Sequence, residues 1–210
     1  MARFRLTNPL VEADSSVQQN FEGIQGYLNK LAPIVPVVTA LPTSPADGTV
    51  IDYVADSSNG VVWRFRYRAG SGSSYKWEFV GGSSLWSEIT TLESYGAGVT
   101  TYGDLATVGP SIALPFAGDY EVEIGCSAYH NTTARAAWMS YQIGGTGASD
   151  NDGLVAVYAG LTNSVDVAGV RPRIKTGLGA VTLTAKYRGD GSGVPTFRNR
   201  WMRVTPRRIG

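Results

Sequence analysis

A chain of 210 residues with 18 Lys and Arg against 17 Asp and Glu has a formal net charge of +1, so no global field gathers nucleic acid, an anionic membrane or an acidic partner. Charged residues make up 17%, below the roughly 25% usual for soluble domains, while 43% are hydrophobic, a balance that suits some apolar surface covered by another chain. One cysteine, Cys126, excludes an intrachain disulfide and a cysteine-rich metal site.

The opening "MARFRLTNPL" has no apolar run long enough for a secretory signal or a membrane span. The expectation is a protein made and folded in a cytoplasm, without membrane insertion. Asn8 and Pro9 then supply an N-cap and a first-turn proline, whose missing N–H costs nothing there. Leu10, Val17, Phe21, Ile24, Leu28 and Leu31 follow at heptad-like gaps, with Asp14 interrupting one core position. Pro33 and Pro36 end the pattern. A helix of about 23 residues is roughly 35 Å long and marginal alone in water, the more so with Gly23 and Gly26 on its outer side. Its seam needs a partner. The chain's own β domain could supply one; the expectation is instead a short homo-oligomeric coiled coil, making residues 1–36 an oligomerisation and docking segment.

Residues 37–84 read as a second zone, a small β-meander with a linker. "VVTALPTSPADGT" approaches an Asp47-Gly48 turn, and "VIDYVA" alternates. In "GVVWRFRYRAGSGSSYKWEFVGG", Val61, Trp63, Phe65 and Tyr67 share one face, while Val62, Arg64, Arg66 and Arg68 share the other. Beyond the Gly/Ser loop, Tyr75, Trp77 and Phe79 oppose Lys76, Glu78 and Val80. Period two on both sides of a flexible loop predicts a hairpin. A single-strand-binding sheet would need those aromatics exposed for base stacking. Here they are the module's own apolar layer, so no nucleic-acid partner is expected. A module this small seldom folds alone, which is a second hint of contact with neighbouring subunits.

Residues 85–210 carry strand-like runs: "SIALPF", "YEVEIGCSAY", "AAWMSYQI", "LVAVYAGL", "VRPRIK", "AVTLTAKY" and "RWMRVT". Turns such as Gly144-Gly145 and Asp190-Gly191 separate them. Seven or eight short strands without helical periodicity predict a β-sandwich of jelly-roll type, so the fold class expected is mainly β.

Chemistry is sparse. Cys126 falls on the apolar face of its strand with Tyr120, Val122, Ile124 and Ala128, which predicts a buried, inert thiol. His130, the one histidine, is expected at a turn, with no orienting carboxylate or nucleophile that can be placed beside it. Glu121 and Glu123 lie on an outward face, as solvated acids rather than a glycosidase pair. "SDND" at 149–152 offers oxygen ligands but lacks the spacing and terminal Glu of a calcium loop. "GTGAS" and "GAG" are not followed by a helix or a lysine, so they do not read as phosphate loops. "NTT" at 131–133 matches a glycosylation sequon that has no meaning without a secretory signal. In "FRNRWMRVTPRR", Arg198 and Arg200 are expected on one side of a strand and Arg203 on the other, in ion pairs at subunit interfaces. No catalytic, cofactor-binding or metal-binding residue is assigned.

Two longer passages carry a resemblance. "ALPTSPADGTVIDYVAD" running into the aromatic hairpin resembles a segment of tailed-bacteriophage virion structural proteins, often labelled minor tail proteins. "GPSIALPFAGDYEVEIG" and "FRNRWMRVTP" resemble their C-terminal domain. The resemblance covers most of the chain from residue 40 onward. It implies a non-enzymatic homotrimer, N-terminal helices bundled on the axis and jelly rolls around it, in a virion assembled in the host cytoplasm. The N-terminal segment would dock on other virion proteins and the sandwich would face outward toward a host envelope glycan. Tyr95, Tyr102 and the 145–152 turn are its natural contact loops. A trimeric head fibre or capsid decoration protein is the close alternative.

Overall fold

The computed structural model describes residues 22–24, 35–158 and 167–210, and the chain divides into two compact units, Met1–Val35 and Pro36–Gly210. In the first, residues 22–24 are helical and Ile24 is 57% exposed. Leu10, Val17, Phe21, Leu28 and Leu31 lie outside the described residues, and so does the seam they were expected to form.

The second unit is built from strands because its sequence alternates nearly everywhere. These are β1 (Val37–Val38), β2 (Val50–Asp56), β3 (Val61–Tyr67), β4 (Trp77–Gly82), β5 (Leu85–Ile89), β6 (Glu93–Ser94) and β7 (Ser111–Ala113). After them come β8 (Gly118–His130), β9 (Arg135–Ile143), β10 (Leu154–Tyr158), β11 (Val167–Leu178), β12 (Thr182–Arg188) and β13 (Pro195–Ile209), with a 3₁₀ turn at Asp150–Asp152. Among the described residues, the larger sheet runs β1-β2-β3-β4-β13-β8-β11, with β5 and β6 also on β13; the smaller runs β10-β9-β12-β7. The mainly β, sandwich-like fold is as the alternation predicts.

The segments 37–84 and 85–210, expected as separate zones, share a sheet and a core. The reason is the length of β13, which spans 15 residues. One edge pairs with β8 from Pro195 to Ile209, while the other takes β6, then β5, then β4 in turn. The meander therefore hangs from the end of the sandwich's own central strand. The strands β5 and β6 carry no such expectation in the sequence reading, although Leu85, Ser87 and Ile89 alternate with Trp86 and Glu88.

Aromatic alternation in the meander holds. Trp63 and Phe65 are fully buried and Trp77 nearly so, while Arg64 and Val62 are exposed. The cover is not a neighbouring subunit, however. Tyr53 packs its ring 4.7 Å from Phe116, just before β8, and the layer merges with Tyr120 and Ile209 in one apolar core. The Trp63 indole donates to the Ser83 carbonyl at 2.8 Å, so its polar edge is satisfied inside the chain. Complete burial of a Trp or Phe side chain stabilises by roughly 1.5–3 kcal/mol. On the outer face Arg64 forms a two-pronged pair with Asp52 at 2.8 Å per bond, and Arg66 and Arg68 both approach Glu78, at 3.7 and 3.3 Å.

Between the two sheets, Val122 and Ile124 of β8 and Met202 and Val204 of β13 face Met139, Leu183 and Ala185 from β9 and β12, all fully buried. Cys126 belongs to this layer, 4% exposed, and burial pushes its thiol up to about 12, as expected of an inert core residue. His130 departs from expectation. It ends β8 and is fully buried rather than lying at a turn, and its Nδ1 accepts from the Thr132 backbone N–H at 3.1 Å. Burial lowers its pKa below the ordinary histidine value.

The C-terminal arginines depart further. The β13–β8 register shifts between Arg198 and Trp201, and Asn199 adopts φ +48°. A bulge inserts a residue, so Arg200 turns inward while Arg198 stays outside. Arg200 is fully buried, ion-paired with Glu93 at 3.1 Å, and its guanidinium lies 5.5 Å from the Tyr187 ring centre. Arg203, on the outer face, pairs with Glu123 and Arg207 with Glu121. These pairs form within the chain, where subunit-interface pairs were expected. Glu121 and Glu123 lie on the outer face as the alternation predicts, held there in these pairs.

Candidate functional site

Two of the three loop features singled out in the sequence come together at one end of the sandwich. Thr100, Thr101 and Tyr102 face Gly147–Asn151 across an open groove of about 700 Å³, with Arg188 from the end of β12 at its floor. Tyr95 does not line this groove, but its hydroxyl donates to the Thr101 carbonyl at 3.1 Å and so holds one wall.

Arg188 organises the floor. Its guanidinium lies 4.3 Å from the Trp138 ring centre and 5.2 Å from that of Tyr102, a cation between two aromatic faces. Its Nε and Nη2 donate to one Asp150 oxygen at 3.2 and 2.9 Å, and Nη1 donates to the Gly189 carbonyl at 2.9 Å. Those bonds hold the Asp150 carboxyl below its ordinary pKa, and burial pushes the Tyr102 hydroxyl up to about 12. Arg188 is fully committed and its charge is cancelled locally.

The opposite wall is pinned from several sides. Ser149 caps the 3₁₀ turn by accepting from the Asn151 N–H at 3.2 Å, and Ser140 donates to the Ser149 carbonyl at 2.6 Å. Arg173 Nε donates to the Asn151 carbonyl at 2.9 Å, and Lys175 holds Asp152 at 2.5 Å. At Gly153 a Cβ would sit 3.0 Å from the Tyr102 hydroxyl, so the chain runs close beneath that ring. The acids of "SDND" thus sit in ion pairs with Arg188 and Lys175, and no group of three or more metal-ligating side chains occurs among the described residues.

What remains exposed in the groove is Thr100, Thr101, Gly147, Asp150 and Asn151. This is a fixed polar surface over the half-buried rings of Tyr102 and Trp138. Such a surface can bind. Sequence reasoning placed Tyr102 and the 145–152 turn here and missed Arg188 and Trp138. Their signal was faint: Arg188 ends the run "AVTLTAKYR" and Trp138 lies inside "AAWMSYQI", and nothing local links them.

No family model and no curated protein matches the chain. Among solved structures it is similar to that of infectious bursal disease virus Gt strain, at 12% identity and a TM-score of 0.40, covering 80% of this chain and 42% of that one. It is also similar to the crystal structure of the infectious bursal disease virus VP2 subviral particle, at 11% identity and a TM-score of 0.34, covering 81% of this chain and 46% of that one. The chain spans less than half the length of these proteins. No helix among the described residues is long and apolar enough to cross a membrane.

Proposed function

We propose that this chain is a non-enzymatic structural component of a tailed-bacteriophage virion, a homotrimeric tail or tail-tip protein whose sandwich adheres to the host surface. The observation that carries the adhesive part is the convergence of Tyr102, Gly147–Asn151 and Arg188 in one pinned groove whose Asp150–Arg188 pair is already neutralised. A surface with its polar groups pre-positioned loses little entropy on binding, which is what a weak, many-copy adhesive contact needs. Glu121 and Glu123, the other pair of acids considered for catalysis, are tied to Arg207 and Arg203 on the sheet face, which favours adhesion over hydrolysis. The phage assignment rests on the resemblance of the hairpin and C-terminal passages. In this reading the N-terminal segment docks on other virion proteins and the groove meets an envelope glycan.

Antibody raised against the chain should decorate purified phage particles at the tail. Decoration of the head instead would select the head-fibre or capsid-decoration alternative, and particles left bare would remove the virion role. Purified chain should adsorb to isolated host envelope, and Tyr102→Ala should weaken adsorption about tenfold or more. Equal adsorption by wild type and variant would take the groove out of the adhesive role. Release of soluble sugar during that incubation would overturn the non-enzymatic assignment.

A further inference from the structure

The outer face of the large sheet is unusual for a surface that meets water. Trp86 of β5 is 50% exposed and stacks on Trp201 of β13, with ring centres 4.9 Å apart and planes 16° from parallel. Trp201 lies flat over Gly125, where a Cβ would meet its ring at 2.3 Å, so the glycine makes room for the indole. Across β8, the edge strand β11 presents Val170 and Ile174, each 58% exposed, with exposed Pro172 between them. Val170, Trp201 and Trp86 line one trough of about 540 Å³. Contiguous apolar surface of this kind marks a contact site more often than a solvated face.

The strand register arranges this face in columns. Val170, Pro172 and Ile174 of β11 stand opposite Gly125, Glu123 and Glu121 of β8, which stand opposite Trp201, Arg203 and Thr205 of β13. Trp86 of β5 completes the row at Arg203, and Glu88 the row at Trp201. One half of the face is therefore aliphatic beside Glu121 and Glu123, while the other carries the two tryptophans with Arg203 and Arg207 outnumbering Glu88. The halves complement each other in charge and in apolar content. Within one chain they neutralise each other, so the face as a whole attracts no strongly charged partner. Its complement is another copy of itself.

We propose that this face is the contact between copies of the chain, the β11–β8 half of one copy packing on the β5–β13 half of the next. The partner is a second copy of this protein. The proposal rests on the three-copy reading above: in a ring of three, each copy offers its aliphatic–acidic half to one neighbour and its aromatic–basic half to the other. Such a heterologous contact closes on itself and leaves the loop groove free.

Full-length Trp86→Cys and Ile174→Cys chains, co-expressed and treated with a short bis-maleimide, test it directly, since buried Cys126 does not compete. The expected result is coupling of residue 86 on one chain to residue 174 on another, on a species that sediments as a trimer. Separately, Val170→Asp with Ile174→Asp should raise the concentration needed for association about tenfold or more, with an unchanged circular dichroism spectrum. A trimer without 86–174 coupling, or with association unaffected by the aspartates, overturns this face and leaves the three-copy reading standing. A dimer with the coupling supports the face and removes the three-fold. A wild-type monomer at all concentrations overturns both.

Discussion

Two stretches of this chain share a composition and diverge in structure. Residues 60–82 and 195–209 both interleave arginines with large apolar side chains. In the first, period two survives along β3: Trp63 and Phe65 go in, and Arg64 comes out to meet Asp52. In the second, a bulge at Asn199 breaks the period, and one arginine, Arg200, is driven into the core against Glu93. The same residue type costs almost nothing in one place and must be fully compensated in the other. Alternation tells which face a side chain takes only while the backbone keeps its register; one inserted residue exchanges the faces of everything on one side of it.

The sharpest way to break this contrast is to remove the buried arginine. Arg200→Ala should cost about 3–5 kcal/mol, because Glu93 would stay in the interior without its cation, retaining its bonds from Thr107. The loss is read as a fall in the urea midpoint at unchanged m-value. A loss below about 1 kcal/mol would mean that the pair is not dehydrated as its burial indicates. Replacing both partners, Arg200→Met with Glu93→Gln, should recover part of the loss, since burying a well-packed neutral pair avoids the desolvation penalty.

The bulge itself comes next in size. Asn199 sits at φ +48°, in the left-handed region that asparagine tolerates and β-branched residues do not. Asn199→Val should cost about 1–3 kcal/mol in the same denaturation experiment, whereas Asn199→Gly should lie within about 0.5 kcal/mol of wild type. Equal effects from the two would show that the Asn199 side chain, not its backbone, secures the inward turn of Arg200.

The contrast also explains what was legible. The aromatic hairpin, the sandwich strands and the inert Cys126 could be read because each rests on local alternation. Strand β5 could have been read from Leu85, Ser87 and Ile89, but five residues just after a Gly/Ser joint give little to distinguish a strand from a linker. The division into a meander and a separate sandwich misled because no local pattern shows that β13 is long enough to pair with both. Of the groove, Tyr102 and the 145–152 turn were visible as polar loop residues. Arg188 was not, since its role depends on the Asp150 and Trp138 that the fold brings beside it across about 38 and 50 residues of chain. His130 was misplaced by its neighbours: "NTT" reads as a turn, but the strand includes His130 and ends just before those three residues.

Acid titration separates the two ion pairs more gently. Burial opposes the charge on Glu93, but hydrogen bonds from Thr107 and the Arg200 guanidinium outweigh it and hold the carboxyl below its ordinary value of 4.5. A carboxylate whose folded pKa is depressed leaves more protons on the unfolded chain. Its contribution is therefore fully present above pH 4.5 and is lost as pH falls toward the folded value. Glu93→Gln should flatten the decline of stability below pH 4.5 relative to wild type, measured as urea midpoints from pH 6 to pH 3. A parallel decline in the two proteins would show that other carboxylates carry the acid sensitivity.

The smallest effect belongs to the outer pair of the hairpin. Hydrogen bonds from Arg64 lower the Asp52 pKa and its geometry is two-pronged, yet the Arg64 side chain is half exposed. Water solvates both partners once they separate, so Arg64→Ala should leave the urea midpoint nearly unchanged. Half-molar salt should shrink even that difference, because the Debye length falls to about 4 Å. Set beside Arg200→Ala, this gives a difference of several-fold between two arginine–carboxylate pairs on strands of one sheet. The outer pair has the better geometry, two bonds at 2.8 Å against one at 3.1 Å, so the larger cost at Arg200 comes from its burial, with its contacts to Thr91 and the Tyr187 ring. If Arg64→Ala proved as damaging as Arg200→Ala, the hairpin's outer face would have to be covered in the protein as it exists in solution. That would make it, rather than the Trp86 face, the surface on which copies meet.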